Sequence, residues 1–259
     1  MVRSSRSAPA VLVTGAASGI GRAVALQLAE SQHRLALLDR DQAGLHAVGE
    51  QAREVGAAQV VTVPTEMADG AAVAAALETT ATEFGTLGGL VSAAGILEPA
   101  GLTEVTLDSW NRHLDVNTTG VLHLLQQGAP RLRDGAAVVV VSSNAARVPR
   151  LGMLAYAASK AATSALTRCA GLELADRGIR CNVVEPGSTD TPMQRDLWPD
   201  TALGQAMAVA GDLASYRVGI PLGRLAQATD IAEMVCFLLS DAARHITLQQ
   251  IFVDGGASL

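Results

Sequence analysis

The 259-residue sequence is poor in several residue types, and each scarcity excludes something. Its three cysteines, Cys169, Cys181 and Cys236, form an odd set without CxxC spacing. They read as small buried hydrophobes rather than a disulfide framework, and no metal site is expected. Positive charge is not in excess: 19 Lys and Arg face 25 Asp and Glu, a net charge of −6, so no nucleic-acid partner is expected. No apolar run approaches the roughly 18 residues needed to cross a bilayer, and no membrane partner is expected. The longest obvious run, Ala136 to Val141, is strand-sized. Arg3, Arg6 and several serines open the chain without a following apolar segment, so no secretory signal is expected and the cytoplasm is the default. Two scarcities are sharper. Lys160 is the single lysine, and Tyr156 is one of only two tyrosines, beside Tyr216.

What is present is 49% hydrophobic residues, 25 glycines and a regular alternation of short apolar runs with longer amphipathic ones. That composition excludes a disordered or collagen-like chain. Strands are expected over 10–14, 34–39, 59–63, 89–93, 136–142, 180–185 and 251–253. Helices are expected over 19–31, 42–55, 68–84, 108–132, 156–177 and 229–239. Unbroken apolar strands alternating with helices predict one doubly wound α/β domain over 1–259, a parallel sheet with helices on both faces. Residues 1–9 are expected to be flexible, and no linker or repeat divides the rest.

Between the first strand and first helix lies Thr14-Gly15-Ala16-Ala17-Ser18-Gly19-Ile20-Gly21. Glycines there allow a tight turn and let backbone N–H groups and a helix N-terminus approach a pyrophosphate. Asp39 closes the second strand, where a carboxylate accepts bonds from ribose hydroxyls and repels a 2′-phosphate. That favours NAD over NADP, although the adjacent Arg40 is able to pair with a phosphate.

Tyr156 and Lys160 stand at i and i+4, on one face of a helix. A phenol normally loses its proton near pH 10, and lowering that by about three units needs roughly 4 kcal/mol. A nearby ammonium and an oxidised nicotinamide would favour the phenolate, making Tyr156 a general base for alcohol oxidation. Ser142 and Ser143 end the central buried strand, at the sheet edge where ligands bind in such folds. An ordinary surface pair is the alternative, and the scarcity of both residue types counts against it.

Taken in order, the 14–21 turn, Ala93-Ala94-Gly95, Asn117, Ser143 with Tyr156-Ala-Ala-Ser-Lys160, and Pro186-Gly187 resemble the short-chain dehydrogenase/reductase family across nearly the whole chain. The resemblance implies a seven-stranded Rossmann-like sheet, an Asn117–Ser143–Tyr156–Lys160 tetrad, and a homotetramer using the last strand. It implies cofactor contacts from Gly15, Ser18, Gly19, Ile20, Gly21, Asp39, Arg40, Glu66, Met67, Ala93, Ala94, Gly95, Tyr156, Lys160, Pro186, Gly187, Thr189 and Thr191. Two departures stand out: Ser92-Ala93-Ala94-Gly95 lacks the asparagine common in the family, so its strand contact is lost, and Glu66-Met67 replaces the usual Asp-Val.

The segments 148–153, 181–184, 186–194 and 245–249 are similar to a narrower group within that family, whose members oxidise dihydroxylated cyclohexadiene carboxylates. This implies NAD-dependent oxidation of the C3 alcohol of 2,3-dihydro-2,3-dihydroxybenzoate, followed by aromatisation to a siderophore precursor. Arg150 is then the expected partner of the substrate carboxylate, with Arg147 as a second candidate. Leu97, Ser143, Gly152, Met153, Tyr156, Met193 and Gln194 are expected around the substrate. Met193 and Trp198 lie in a stretch, about 188–220, read either as a lid or as core. The 2-amino analogue, trans-2,3-dihydro-3-hydroxyanthranilate, remains open as substrate, and Asn144 fits either. A carbonyl reductase such as a 3-oxoacyl carrier-protein reductase, or a non-catalytic nucleotide sensor, are the remaining alternatives.

Overall fold

Strand β1 (Ala10–Thr14) is buried along its whole length, as a strand covered on both faces must be. The computed structural model describes residues 9–259, so the expected flexible lead falls outside the described residues apart from Pro9. From β1 the chain runs through α1 (Gly19–Glu30), β2 (Arg34–Asp39), α2 (Gln42–Glu54), β3 (Gln59–Pro64), α3 (Gly70–Phe84) and β4 (Leu87–Ser92). It continues through α4 (Leu107–Leu114), α5 (Gly120–Gly128), β5 (Leu132–Val141), α6 (Leu154–Glu173) and β6 (Arg180–Pro186). Last come β7 (Thr189–Asp190), α7 (Pro192–Arg195), α8 (Thr201–Ala210), β8 (Ala226–Gln227), α9 (Ala228–Leu239) and β9 (Gln250–Val253).

Seven strands form one sheet in the order β3-β2-β1-β4-β5-β6-β9, every neighbouring pair parallel. Strand alternation divides its side chains between two cores. Val11, Val13, Val139 and Val141 pack with Val24 of α1 and Ile231 of α9 on one face. Leu12, Val138 and Val140 pack with Leu77 of α3 and Leu124 of α5 on the other. Both faces are therefore apolar, which is why the strands read as continuous hydrophobic runs. The strand order reverses direction at β1 and β4, so the carboxyl ends of these strands open the crevice where such folds bind ligands.

The expected helix over 108–132 is not continuous. It breaks into α4, a π-helical turn at Asp115–Thr119, α5 and a short 3-10 turn at Ala129–Arg131. Strand β5 accordingly starts at Leu132, with Arg133, Asp134 and Gly135 exposed before its buried run. Helix α3 starts at Gly70 rather than Ala68, because the Asp69 carboxylate caps it by accepting from Ala71 N and Ala72 N. The stretch after Pro186 is more regular than its sequence suggests, with β7 pairing β8 outside the main sheet. Among the described residues no helix is long and apolar enough to cross a membrane.

Candidate active site

The turn between β1 and α1 is built by close backbone approach. Gly15 has φ +66°, and a Cβ there would lie 2.6 Å from Ala94 N; a Cβ on Gly21 would lie 2.1 Å from the Gly15 carbonyl oxygen. Only glycine fits either place. Thr14 Oγ1 accepts from Ala93 N at 3.2 Å and Ala94 N at 3.3 Å, so a threonine ties the ends of β1 and β4 despite the missing asparagine. Ser18 precedes α1 without a side-chain capping bond, whereas aspartates cap α2 and α3. The N-terminal N–H groups of α1 thus face the cleft without a capping side chain, which suits a pyrophosphate. The Asp39 carboxylate is held at the mouth by Ala17 N (3.0 Å) and Asp41 N (3.0 Å).

A cleft of about 320 Å³ is lined by Gly15, Ser18, Gly19, Ile20, Asp39, Arg40, Glu66, Met67, Ala93, Ala94, Gly95 and Thr191, all expected around a cofactor. Gly21 does not line it but packs beneath Gly15. Lys160 lies behind the wall, and Tyr156, Pro186, Gly187 and Thr189 line a neighbouring cavity instead. Ala17, Asp41, Thr65, Ile96 and Val116 also line the cleft. Ala17 belongs to the glycine turn, whereas sequence reading passed over the other four; Thr65 and Asp41 follow strand ends, which is the one signal that marks them.

The four expected tetrad residues come from three places: the π-turn, the end of β5, and α6, which carries both Tyr156 and Lys160. Asn117, fully buried in the π-turn, accepts from Ile96 N at 2.8 Å and donates Nδ2–H to the Ile96 carbonyl at 3.0 Å and to Ser159 Oγ at 3.0 Å. Its own carbonyl accepts from Thr163 Oγ1 at 2.6 Å. Ser143 follows β5, its Oγ accepting from Ala145 N at 3.2 Å, and its side chain is hydrogen-bonded to Tyr156. Lys160 is buried, with Nζ donating to the Val141 carbonyl at 3.0 Å and lying 5.8 Å from the Tyr156 ring centroid. His113, unremarked in the sequence, packs edge-on against the Tyr156 ring at 6.4 Å, and its Nε2 accepts from Glu98 N at 3.1 Å.

Here the electrostatic expectation needs correction. Burial pushes the Tyr156 phenol up, with the Ser143 hydrogen bond opposing, and burial pushes Lys160 down to about 8. Desolvation of the charged form is the leading cause at both groups. Lys160 by itself does not make Tyr156 a phenolate.

Beside the cleft, a cavity of about 110 Å³ is lined by Leu97, Ser143, Arg150, Met153, Tyr156, Met193 and Gln194, together with Ser142 and Asn144. Gly152 is not in its wall; at φ +72° it turns the backbone, and its carbonyl accepts from Ala100 N at 2.8 Å. Arg147 is also elsewhere: Nε donates to Glu185 Oε2 at 2.8 Å, and the guanidinium lies 3.8 Å from the Phe252 ring centroid. Glu185 is fully buried, so the nearer arginine is drawn to it and away from the cavity. Trp198 packs into a small core with Ala208, Ile220 and Leu225, not over the cavity, whereas Met193 lines both cavity and cleft. Arg150 Nη2 donates to the Ala257 carbonyl at 3.4 Å. Burial lowers its pKa, neighbouring Arg217 lowers it further, and Asp254 opposes both. Arg217 itself lines the cavity and was not singled out by sequence. Among the described residues no group of His, Cys, Asp and Glu is placed to hold a metal ion.

The family model described as enoyl-(acyl carrier protein) reductase matches residues 15–258. The chain is 43% identical over 252 residues, 96% of each chain, to 2,3-dihydro-2,3-dihydroxybenzoate dehydrogenase of Escherichia coli. It is 41% identical over 249 residues, 95% of each chain, to the enzyme of the same name from Bacillus subtilis. A solved short-chain dehydrogenase/reductase from Serratia marcescens superposes with a TM-score of 0.87 at 30% identity, over 97% of this chain and 98% of that one. The glycine turn, the reversal of strand order at the cleft and these relatives lead to one conclusion: the chain belongs to the short-chain dehydrogenase/reductase family, oxidoreductases that use a nicotinamide cofactor.

Proposed function

We propose that the protein oxidises the C3 alcohol of 2,3-dihydro-2,3-dihydroxybenzoate with NAD, giving 2,3-dihydroxybenzoate. The observation that carries this reading is one small cavity, beside the cofactor cleft, that brings together Ser143, Tyr156 and Arg150. It holds a proton acceptor, a hydroxyl to steady the reacting oxygen and a cation for a carboxylate. The two relatives at 41% and 43% identity support the same substrate.

The cofactor is held by the 14–21 turn, the N-terminus of α1 and the Asp39 carboxylate, which favours ribose hydroxyls and disfavours a 2′-phosphate. When bound, the nicotinamide supplies the hydride acceptor and a positive charge near the phenol. Tyr156 Oη takes the proton of the substrate hydroxyl as the C–H bond at C3 loses its hydride. Ser143 Oγ orients that oxygen, already in contact with Tyr156. Lys160, with its pKa lowered to about 8, is still mainly an ammonium at neutral pH and favours the phenolate. Asn117 holds the loop after β4 in place through its paired bonds to Ile96. The ring ketone so formed then loses its C2 proton and enolises, and aromatisation makes the oxidation strongly downhill.

Residues 188–220 form the cover of the substrate cavity in this reading, with Met193 and Gln194 on its inner side. The protein is further proposed to form a homotetramer, an assembly supported by the free edge of the sheet at β9 and by exposed Leu172 on α6. The function is tested by supplying NAD with the dihydroxy acid, its 2-amino analogue and a 3-oxoacyl thioester with reduced cofactor, and identifying products by chromatography. Formation of 2,3-dihydroxybenzoate as the fastest reaction is expected; preference for either other substrate overturns the assignment.

A further inference from the structure

The cavity that holds Ser143 and Tyr156 has two charged side chains in its wall, Arg150 and Arg217, and no acid. Arg150 comes from the loop before α6. Arg217 comes from a turn between α8 and β8 that is closed from both sides: Asp212 N donates to the Arg217 carbonyl at 2.9 Å, and Arg217 N to the Asp212 carbonyl at 2.8 Å. Residues flanking Arg217 on that turn face solvent, with Tyr216 88% and Val218 63% exposed, whereas Arg217 is half-buried and reaches the cavity.

The acids nearby are already engaged. Asp212 accepts from Ala214 N at 3.0 Å and from Ser215 Oγ at 2.6 Å. Asp254 accepts from Gly256 N at 3.0 Å and from Asn144 Nδ2 at 3.4 Å. Other arginines of the described chain, such as Arg147, Arg195 and Arg224, sit in ion pairs at under 3 Å. Among the described residues neither Arg150 nor Arg217 does, and the Arg217 guanidinium donates no hydrogen bond. Asp254 offsets part of the repulsion at Arg150 and Asp212 faces Arg217, but neither acid lies in the wall, and an anion between the two guanidinium groups would meet both.

We propose that Arg217 is a specificity-determining residue which, with Arg150, forms a two-guanidinium seat for the substrate's ring carboxylate and selects anionic over neutral dihydroarenes. The inference rests on the substrate reading above and extends it to a residue from a distant turn. Because the two arginines come from different elements, a bound carboxylate also fastens the α8–β8 turn onto the loop that leads to Tyr156. Guanidinium suits this place better than ammonium, since its planar fork can bond a carboxylate through two parallel N–H groups.

The test compares 2,3-dihydroxybenzoate with catechol, which lacks only the carboxylate, as ligands of the NAD-loaded protein, in wild type, Arg217→Ala and Arg217→Lys. Arg217→Ala is expected to weaken binding of 2,3-dihydroxybenzoate about 10-fold and to leave catechol unchanged, with Arg217→Lys restoring part of the loss. In turnover of the dihydroxy acid the loss falls mainly on the KM for that acid, while the KM for NAD stays put. Equal loss for both ligands, or loss for neither, overturns the proposal. If wild type fails to oxidise the dihydroxy acid yet Arg217→Ala still selectively weakens the carboxylate ligand, the seat stands and the substrate assignment falls. If wild type oxidises it and the variant shows no carboxylate-selective effect, the assignment stands and the seat falls.

Discussion

Lys160 offers a quantitative test of how the site is built. It is buried, bonds the Val141 carbonyl at 3.0 Å, and burial lowers its pKa from 10.5 to about 8. Between those two values the unfolded chain binds more protons than the folded one, so stability rises with pH across that window. From the two values, charge on Lys160 disfavours folding by roughly 3 kcal/mol near pH 7 and by roughly 1.4 kcal/mol near pH 9.5. The wild-type chain should therefore regain about 2 kcal/mol over that interval. Lys160→Met keeps the length of the side chain but has no proton to lose. It also deprives the Val141 carbonyl of a donor, a loss that is the same at every pH and drops out of the pH dependence. Urea unfolding of both proteins without added nucleotide, at equal protein concentration, gives each stability by linear extrapolation. The wild-type minus variant difference should climb by about 2 kcal/mol from about pH 7 to about pH 9.5. A flat difference would show that burial does not depress Lys160. A falling one would show that the folded chain favours its charge, and either would refute the reasoning.

Two further perturbations follow from the geometry. Asp39→Ala removes the carboxylate at the mouth of the cleft; kcat/KM with NAD should fall about 10-fold while that with NADP rises, as steady-state rates with each cofactor would reveal. Arg147→Ala leaves the fully buried Glu185 with Ser164 as its remaining partner, at 3.1 Å. Because Arg147 is itself partly exposed, the loss should be about 2 kcal/mol, below the range for a fully buried pair. Burial already holds the Glu185 carboxyl above its ordinary range, against the pull of Arg147. Since the folded form then binds the proton more readily than the unfolded form, the deficit of Arg147→Ala should shrink as pH is lowered through the folded pKa. Thermal or urea unfolding at several acidic pH values measures it.

The sheet was legible because its signal is local and redundant: Val11, Leu12 and Val13 are apolar in succession since helices cover both faces. The glycine turn was legible for a related reason, since no other residue fits at Gly15 or Gly21. The break at Asn117 was not. Asp115, Asn117, Thr118, Thr119 and Gly120 crowd the break, but the apolar period runs on through them, and Asn117 is held there by a tertiary bond to the Ile96 backbone, 21 residues away. Arg147 and Arg150 show the same limit. They share a loop and a chemistry, and what sends them to different partners is Glu185, a buried carboxylate on β6 whose reach cannot be read from the loop's own sequence. Arg217 was invisible because only the topology brings its turn to the cavity, and the same holds for Val116 at the cleft.

In the proposed function this cavity oxidises a dihydroxylated cyclohexadiene carboxylate through Tyr156. The most direct measurement is the rate of reduced-cofactor formation from NAD and 2,3-dihydro-2,3-dihydroxybenzoate in wild type and in Tyr156→Phe, followed by absorbance. Wild type should turn the acid over rapidly, and Tyr156→Phe, which keeps the ring against His113 but loses the proton acceptor, should slow it by at least about 100-fold while still binding NAD. Comparable rates in the two proteins, or no turnover by wild type that binds NAD, would contradict it.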